Sequence, residues 1–434
     1  MSARDLASWA GFWHRPRSSP AHLRRWQDAR LRRLLRHASA NVPFYRNRLQ
    51  NCDEIRGAAD LPGLPLLRKA DLFETPLKDL LSPGTNLSAC IVHDTSGTTG
   101  EPIQVIRTRA EEHALFAYRL RAQILSGLKP WHLRMKIGWV TAETAPPRLG
   151  LFRWGTVNES LSQAEILQRL ADCRPDVLYT RPGMFELLLA SHDRLQLRAL
   201  RPKLLFSGAE PIPQNLRPRL REVFGCPLVD FFGATEVNLI AWECRACGCY
   251  HTCDDAMLVE VLRDDGSEAS PGELGRLVVT ALHSFTMPFI RYEIGDVVRR
   301  PATPPACRIR FGCLDRIAGR LSEYMLLPSG HWLSPYRLEE GIDGVRGIRR
   351  FQAVQTAPGE IVFRVQAAPS FDAGSVERMR SNFASLLPAG IRIDIQVVDQ
   401  IPLAPSGKHH VVQALRPPGS SARLTAPPLG GGLQ

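Results

Sequence analysis

The chain has 434 residues, 44% hydrophobic and 23% charged, which allows a full core and two domains and rules out a disordered or fibrous protein. No run approaches the roughly 18 consecutive apolar residues that a membrane span needs, so no membrane partner is expected. The net charge of +12 comes from Arg scattered through nearly every segment, with no block of like charges, which fits a general Arg bias or a phosphate-bearing substrate.

The opening stretch, MSARDLASWAGFWHRPRSSP, has no small-residue cleavage site and does not read as a secretory signal, so the expected location is cytoplasmic. Residues 1–80 read as helices and extended connectors. In LRRLLRHASANVPFYRNRL, Leu31, Leu34, Leu35 and Ala38 share one helical face, while Arg30, Arg32, Arg33 and Arg36 cover the other. Pro43 ends that helix, and Phe44 and Tyr45 read as packing residues. Next comes DTSGTTGEPIQV, residues 94–105. Gly97 and Gly100 let a backbone approach a ligand, and Ser96, Thr98 and Thr99 add hydroxyl donors suited to phosphate oxygens. No Gly-Lys-Ser/Thr closes the stretch, so it is not a Walker A loop. On its own it reads equally as a decorated turn.

From 160 to 240, strand and helix alternate. ILQRLADCRP is helical, DVLYT and KLLFSG are strands, LRPRLREVFG is a helix with Leu216, Leu220, Val223 and Phe224 on one side, and PLVDFFG is a third strand. Such alternation predicts a layered α/β domain with a largely parallel sheet, whose ligands bind at the carboxyl ends of the strands. SGAE and FFGATE sit at such ends. Near residue 320 the character changes. EIVFRVQ is a strand, SVERMRSNFASLL is a helix opened by Ser375, and IRIDIQVV alternates with Ile391, Ile393, Ile395 and Val397 on one side. This predicts a small α+β domain over 319–416 behind a large α/β domain over 1–318. The Pro/Gly/Ser-rich 417–434 forms a disordered tail.

Four further stretches bear on the glycine-rich one: FFGATE (231–236), RYEIGD (291–296), IAGRLSE (317–323) and PLAPSGKHH (402–410). In this order and spacing the chain resembles the adenylate-forming superfamily, and within it the phenylacetate–coenzyme A ligase and coenzyme F390 synthetase-like group. The resemblance runs from NVPFYRNRL to SGK. It implies that Ser96, Gly97, Thr98, Thr99 and Gly100 cover the β- and γ-phosphates of ATP. It also implies that Gly208, Ala209 and Glu210 line the adenine pocket and that Phe232 stacks on the base. Thr235 would contact the α-phosphate and Glu236 would hold Mg²⁺. Asp296, assisted by Arg320, would bind the ribose hydroxyls, and Lys408 would be the catalytic lysine. A carboxylate attacking the α-phosphorus brings two anions together, so the work is positioning and charge neutralisation. The implied reaction joins a small carboxylic acid, aromatic by the resemblance, to coenzyme A through an acyl-adenylate, with release of pyrophosphate. An amine or a carrier-protein thiol is the other acceptor, and a homodimer is compatible.

Three features depart from the family pattern. Glu101 stands where a Lys is common, Ser322 stands where the hinge commonly has Asp, and the acid-pocket segment WVTAETAPPRLGLFRWGTVNES lacks a Gly-rich signature.

ECRACGCYHTC carries Cys244, Cys247, Cys249, His251 and Cys253. Cys-x₂-Cys-Gly is a zinc-knuckle spacing, and a large unsecreted chain with ten Cys suggests metal or burial rather than disulfides. Similar ligases place one more Cys before the Gly-Arg hinge, which Cys307 matches. The implied structural Zn²⁺ set is Cys244, Cys247, His251 and Cys307, with Cys249, Cys253 and Cys313 as spare thiols. His14, His22, His93, His283, His409 and His410 read as surface or satisfied-core residues. A zinc-knuckle nucleic-acid-binding protein is a distant alternative, disfavoured by Asp254, Asp255 and the dispersed Arg; no nucleic-acid partner is expected.

Overall fold

The computed structural model describes residues 11–415 except 51, 96–102, 141, 191–193, 214, 264, 321–322, 329–331, 334, 343, 389 and 402–410. The chain divides into two compact units. The first comprises 1–259, 279–292 and 304–314, and the second comprises 260–278, 293–303 and 315–434.

The first unit opens with helix α1 (Pro20–Asn41), capped by Ser19, whose side chain accepts from the His22 N–H. Leu31, Leu34, Leu35 and Ala38 are buried, as their spacing predicts, and pack with Tyr45, Leu49 and Ile290. Tyr45 donates to the Pro288 carbonyl at 2.8 Å, so the Phe44–Tyr45 pair is packing. The antiparallel strands β1 (Cys90–Asp94) and β2 (Gln104–Thr108) flank the glycine-rich stretch. They are clamped at its base by Thr95, whose N–H donates to the Ile103 carbonyl and whose Oγ1 accepts from the Ile103 N–H at 2.8 Å. Residues 96–102 lie outside the described residues. Helix α2 (Arg109–Leu125) follows at once, with a capping box between Thr108 and Glu111.

An eight-stranded sheet organises the unit. Strands β3 (Arg134–Gly138), β4 (Trp154–Asn158), β5 (Val177–Tyr179), β6 (Leu204–Gly208) and β7 (Leu228–Ala234) pair in parallel. Strands β8 (Asn238–Glu243), β9 (Tyr250–Thr252) and the short β13 (Cys313–Leu314) extend one edge in antiparallel pairing. The order is β13-β9-β8-β7-β6-β5-β3-β4. Helices α3 (Gln163–Cys173), α4 (Pro182–Leu189) and α5 (Leu216–Phe224) cover one face, with Ile166, Leu170, Phe185, Leu216 and Leu220 packed on Met135, Ile137, Leu178 and Leu205. The layered parallel sheet expected from the alternating pattern is therefore present.

A second, four-stranded sheet has the order β10 (Met257–Leu262), β11 (Leu274–Ala281), β12 (Tyr292–Arg299) and β14 (Arg316–Arg320). Toward the end of the chain, after the two-residue strands β15 (Met325–Leu326) and β16 (Trp332–Leu333), comes a sheet of order β19-β18-β17-β20. It contains β17 (Ile348–Ala357), β18 (Glu360–Ala367), β19 (Arg392–Val398) and β20 (Val412–Gln413), packed by helix α6 (Ala373–Leu386) through Met379 and Phe383. Two expectations are corrected here. The cap of α6 is Asp372, whose carboxylate accepts from the Ser375 N–H at 2.8 Å, and Ser375 is the third helical residue. Ile391, just ahead of β19, and Ile393 and Ile395 on it pack inward, but Val397 is 58% exposed because this edge strand outruns its cover. The tail 417–434 lies outside the described residues.

Candidate functional site

Two groups of residues in the first unit are built by close backbone approaches. The first is the end of β6. A Cβ on Gly208 would lie 2.6 Å from the Phe231 carbonyl oxygen and 3.6 Å from the Tyr179 hydroxyl, so only Gly fits between β5 and β7. Ala209 follows in the left-handed region at φ 71, a conformation that non-Gly residues hold only under constraint. Glu210 is anchored twice: Oε1 pairs with Arg181 at 3.0 Å, and Oε2 accepts from the Gly183 N–H at 3.0 Å. Arg181 also binds Glu159 at 3.0 Å.

The second group is the tip joining β7 to β8. A Cβ on Gly233 would lie 2.3 Å from the Asn238 carbonyl oxygen, so the two strands close around it. The tip is a turn in which the Val237 N–H donates to the Ala234 carbonyl, and Asn238 sits at φ 65. Thr235 and Glu236 are its two central residues. Arg107, buried in β2, donates to the Thr235 carbonyl. Glu236 is buried and accepts from the Tyr292 hydroxyl at 2.9 Å. Arg119 of α2 donates to the Asn238 side chain at 2.7 Å. Phe232, half-buried, sits beside the register shift between Phe232 and Gly233.

In the second unit, Asp296 and Arg320 are register partners across β12 and β14, with Nε 3.8 Å from Oδ1. Gly295 at φ 91 and the irregular pairing between Asp296 and Val298 turn the carboxylate at this point. Arg320 is further held by Glu323, which accepts its backbone N–H at 3.1 Å.

The sequence reading missed Arg107, Tyr292 and Arg181, which hold Thr235, Glu236 and Glu210. Tyr292 lies inside the RYEIGD stretch, so its position could have been questioned; the other two carried no pattern. Ser96, Gly97, Thr98, Thr99, Gly100, Ser322 and Lys408 lie outside the described residues.

The cysteine-rich segment folds into the β8–β9 hairpin. The Cys244 N–H donates to the Cys249 carbonyl and the Gly248 N–H to the Cys244 carbonyl, each at 2.8 Å, with Gly248 at φ 75. This knuckle aims Cys244 and Cys247 at the same point. His251 comes from β9, and Cys307 arrives from 63 residues away. Ligand atoms of Cys244, Cys247, His251 and Cys307 all lie within 4.8 Å of one another. The Cys244 and Cys307 sulfurs are 3.7 Å apart, and the Cys247 sulfur is 3.6 Å from His251 Nε2. A disulfide would need about 2.05 Å, whereas zinc bonds of about 2.0–2.3 Å give tetrahedral edges of about 3.5–3.8 Å. The donor set and its spacing therefore fit zinc. Burial pushes the Cys247 thiol up to about 12, with the Cys244 and Cys307 sulfurs adding to it. Burial also holds His251 below its ordinary value, leaving the neutral imidazole that a metal binds. Among the described residues Cys249, Cys253 and Cys313 are not in the cluster. His283 departs from the satisfied-core expectation: it is buried, with Nδ1 bonded to the Ala256 carbonyl at 3.2 Å and Nε2 without a partner among the described residues.

Residues 20–286 match the AMP-binding enzyme family, and residues 325–414 match the CapK C-terminal domain. The chain belongs to the AMP-binding enzyme family. It is similar to the phenylacetate–coenzyme A ligase of Aromatoleum evansii, at 30% identity over 75% of this chain and 76% of that one. It is 29% identical to the enzyme of the same name from Pseudomonas putida, over 74% of this chain and 75% of that one. Its fold matches a crystal structure of 2-hydroxyisobutyryl-CoA ligase with a TM-score of 0.78 at 19% identity, covering 93% of this chain and 92% of that one. As a member of the phenylacetate–coenzyme A ligase-like group, the chain is an AMP-forming ligase that activates a carboxylic acid with ATP. Among the described residues no helix is long and apolar enough to cross a membrane.

Proposed function

We propose that this ligase converts an aromatic carboxylic acid to its acyl-adenylate and passes the acyl group to coenzyme A. The observation that carries this reading is the tip Gly233–Asn238, which cannot open without breaking the approach at Gly233 and which holds Thr235 and Glu236 between Arg107 and Tyr292. Such fixed placement is what adenylation needs, since the attacking carboxylate and the α-phosphate repel each other. Thr235 is suited to donate to an α-phosphate oxygen, and Glu236, oriented by Tyr292, to hold Mg²⁺. When bound, that ion supplies charge neutralisation at the departing pyrophosphate. Asp296 would accept hydrogen bonds from the ribose hydroxyls with Arg320 beside it. The glycine-rich stretch at 96–100 would cover the outer phosphates, and Lys408 would supply a point charge at the reacting oxygens.

Cys244, Cys247, His251 and Cys307 would hold a structural Zn²⁺. None of the ten cysteines is in a disulfide, as expected of the reducing, cytoplasmic setting that this reading implies.

Acid-dependent ATP–pyrophosphate exchange with Mg²⁺ over aryl, arylacetic and aliphatic acids tests the reading. We expect exchange with the wild-type protein and a loss of roughly 10²–10³-fold in Lys408→Ala. AMP formation on adding coenzyme A identifies the acceptor. AMP formation only with an amine or a carrier-protein thiol would replace coenzyme A, and absence of exchange with every acid would overturn adenylation.

A further inference from the structure

On the face of the eight-stranded sheet opposite the α3–α5 core, β3 presents Arg134, Lys136 and Gly138, because Met135 and Ile137 point into that core. Arg134 donates to Gln123 of α2. Two residues along a strand advance about 6.6 Å and four along a helix about 6 Å. One step from that contact toward the carboxyl end of β3 is Lys136, and one turn back along α2 is Arg119, the cation that acts most strongly on the Lys136 ammonium.

These two cations lie at the edge that carries the nucleotide-site residues. Arg119 bonds Asn238, two positions after Glu236. Tyr179 is the register partner of Lys136 on β5, and its hydroxyl stands 3.6 Å from where a Gly208 Cβ would be. Tyr179 also packs on Phe206 and Phe231, giving an aromatic wall beside the cations.

Among the described residues neither Lys136 nor Arg119 forms an ion pair with a carboxylate, and the Arg134 guanidinium donates to the neutral Gln123. Lys136 is the exposed residue of an otherwise buried strand. Its ammonium is nonetheless held below its ordinary value, first by burial and then by repulsion from Arg119 and Arg134, against which Glu159 is the one opposing charge. Glu159 is already bound to Arg181. Like charges gathered without a counter-ion are costly for the protein alone and favourable once an anion lies between them.

We propose that the acid this enzyme activates carries a second carboxylate at the end remote from the reacting one, bound between Lys136 and Arg119, with Tyr179 beside its carbon skeleton. This inference rests on the acid-activating reading above and deepens it. The subsite sets specificity and takes no part in bond making. A site built around two cations discriminates against a substrate lacking the matching anion, which leaves those charges unpaired.

The test uses matched acids: benzoate against terephthalate, phenylacetate against 4-carboxyphenylacetate, and hexanoate against adipate. Exchange kcat/KM and calorimetric binding are measured on the full chain as wild type, Lys136→Met, Arg119→Gln and Lys136→Arg, with thermal unfolding to confirm that each variant folds. We expect the dicarboxylate to be favoured by roughly 10- to 100-fold in at least one pair. The preference should collapse in Lys136→Met and Arg119→Gln and persist in Lys136→Arg. Equal or better use of the monocarboxylates by wild type would overturn the subsite while leaving adenylation intact. A preference unchanged in both Lys136→Met and Arg119→Gln would also overturn it. Lys136-dependent binding of a dicarboxylate without exchange would uphold the subsite and remove the activation reading. If no dicarboxylate binds or exchanges, the subsite is wrong.

Discussion

At the scale of single residues, the site depends on glycine at two positions where a backbone oxygen occupies the space of a Cβ. Gly233 is the sharper case, since the oxygen of Asn238 would be 2.3 Å from an added methyl. The far end of a side chain could move away; this carbonyl belongs to the strand partner and cannot shift alone. Gly233→Ala should therefore push β7 and β8 apart at the tip and displace Thr235 and Glu236 from Arg107 and Tyr292. A displacement near 1 Å is enough to cost about 100-fold in rate. We expect pyrophosphate exchange to fall by at least about that factor, while the cooperative unfolding transition is kept. Exchange within a few-fold of wild type would show that the hairpin relaxes around the methyl and that the tip is not rigid.

At the scale of elements, β7 is tied across β8 to β9 by a buried acid. Asp230 accepts from the Tyr250 hydroxyl of β9 at 2.8 Å, while its other oxygen is buried without a partner among the described residues. Ser207, at the paired position on β6, has a buried Oγ in the same condition. Burial pushes the Asp230 carboxyl from its ordinary 3.8 up to about 7, with Glu243 adding to it and the Tyr250 bond opposing. Through that window the unfolded chain has released a proton that the folded chain retains, so this group makes stability fall as pH rises from about 4 to 7. Asp230→Asn removes the titration and keeps an acceptor for Tyr250. Its stability relative to wild type, from urea unfolding at a series of pH values, should rise across that window by about 4 kcal/mol at most. A flat difference would mean that Asp230 ionises in the fold as it does in the unfolded chain. The elements themselves were largely legible. Parallel strands buried on both faces read as apolar runs, and α3 and α5 show a 3.6-residue period. The α6 cap was misplaced because Asp372 and Ser375 are both cap formers and sit at the two ends of one capping box, so composition does not choose between them. Val397 was misplaced because alternation says which side a residue faces, not whether anything covers it. Thr235 and Glu236 could be found from their motif, but Arg107 is 128 residues from Thr235 and Tyr292 is 56 from Glu236, distances at which only the fold makes them neighbours. Lys136 carried no signal at all, since one cation in a strand is ordinary until its missing counter-charge is seen.

At the scale of the whole molecule, the cysteine cluster links sequence-distant parts of the first unit. It joins the β8–β9 hairpin to the segment ahead of β13, which itself pairs with β9 through Cys313 and His251. Within that segment the Ile309 N–H donates to the Cys307 sulfur at 3.5 Å. A closed four-ligand zinc site stabilises by binding the folded arrangement alone, so its loss lowers the unfolding temperature without touching the proposed nucleotide-site side chains. We expect one zinc per chain by elemental analysis and a clear fall in the unfolding midpoint on chelation, reversed by added zinc. Cys247→Ser and Cys307→Ser should each lower the zinc content and the midpoint, and chelator should then have little further effect. Cys249→Ser, outside the cluster, should retain the metal. Full zinc content in Cys307→Ser would show that a spare thiol completes the site and would release residues 304–309 from it. A chain that purifies without metal, yet unfolds at the same temperature with and without zinc, would make the cluster a set of buried thiols. The 3.6–3.7 Å spacings would then reflect packing alone.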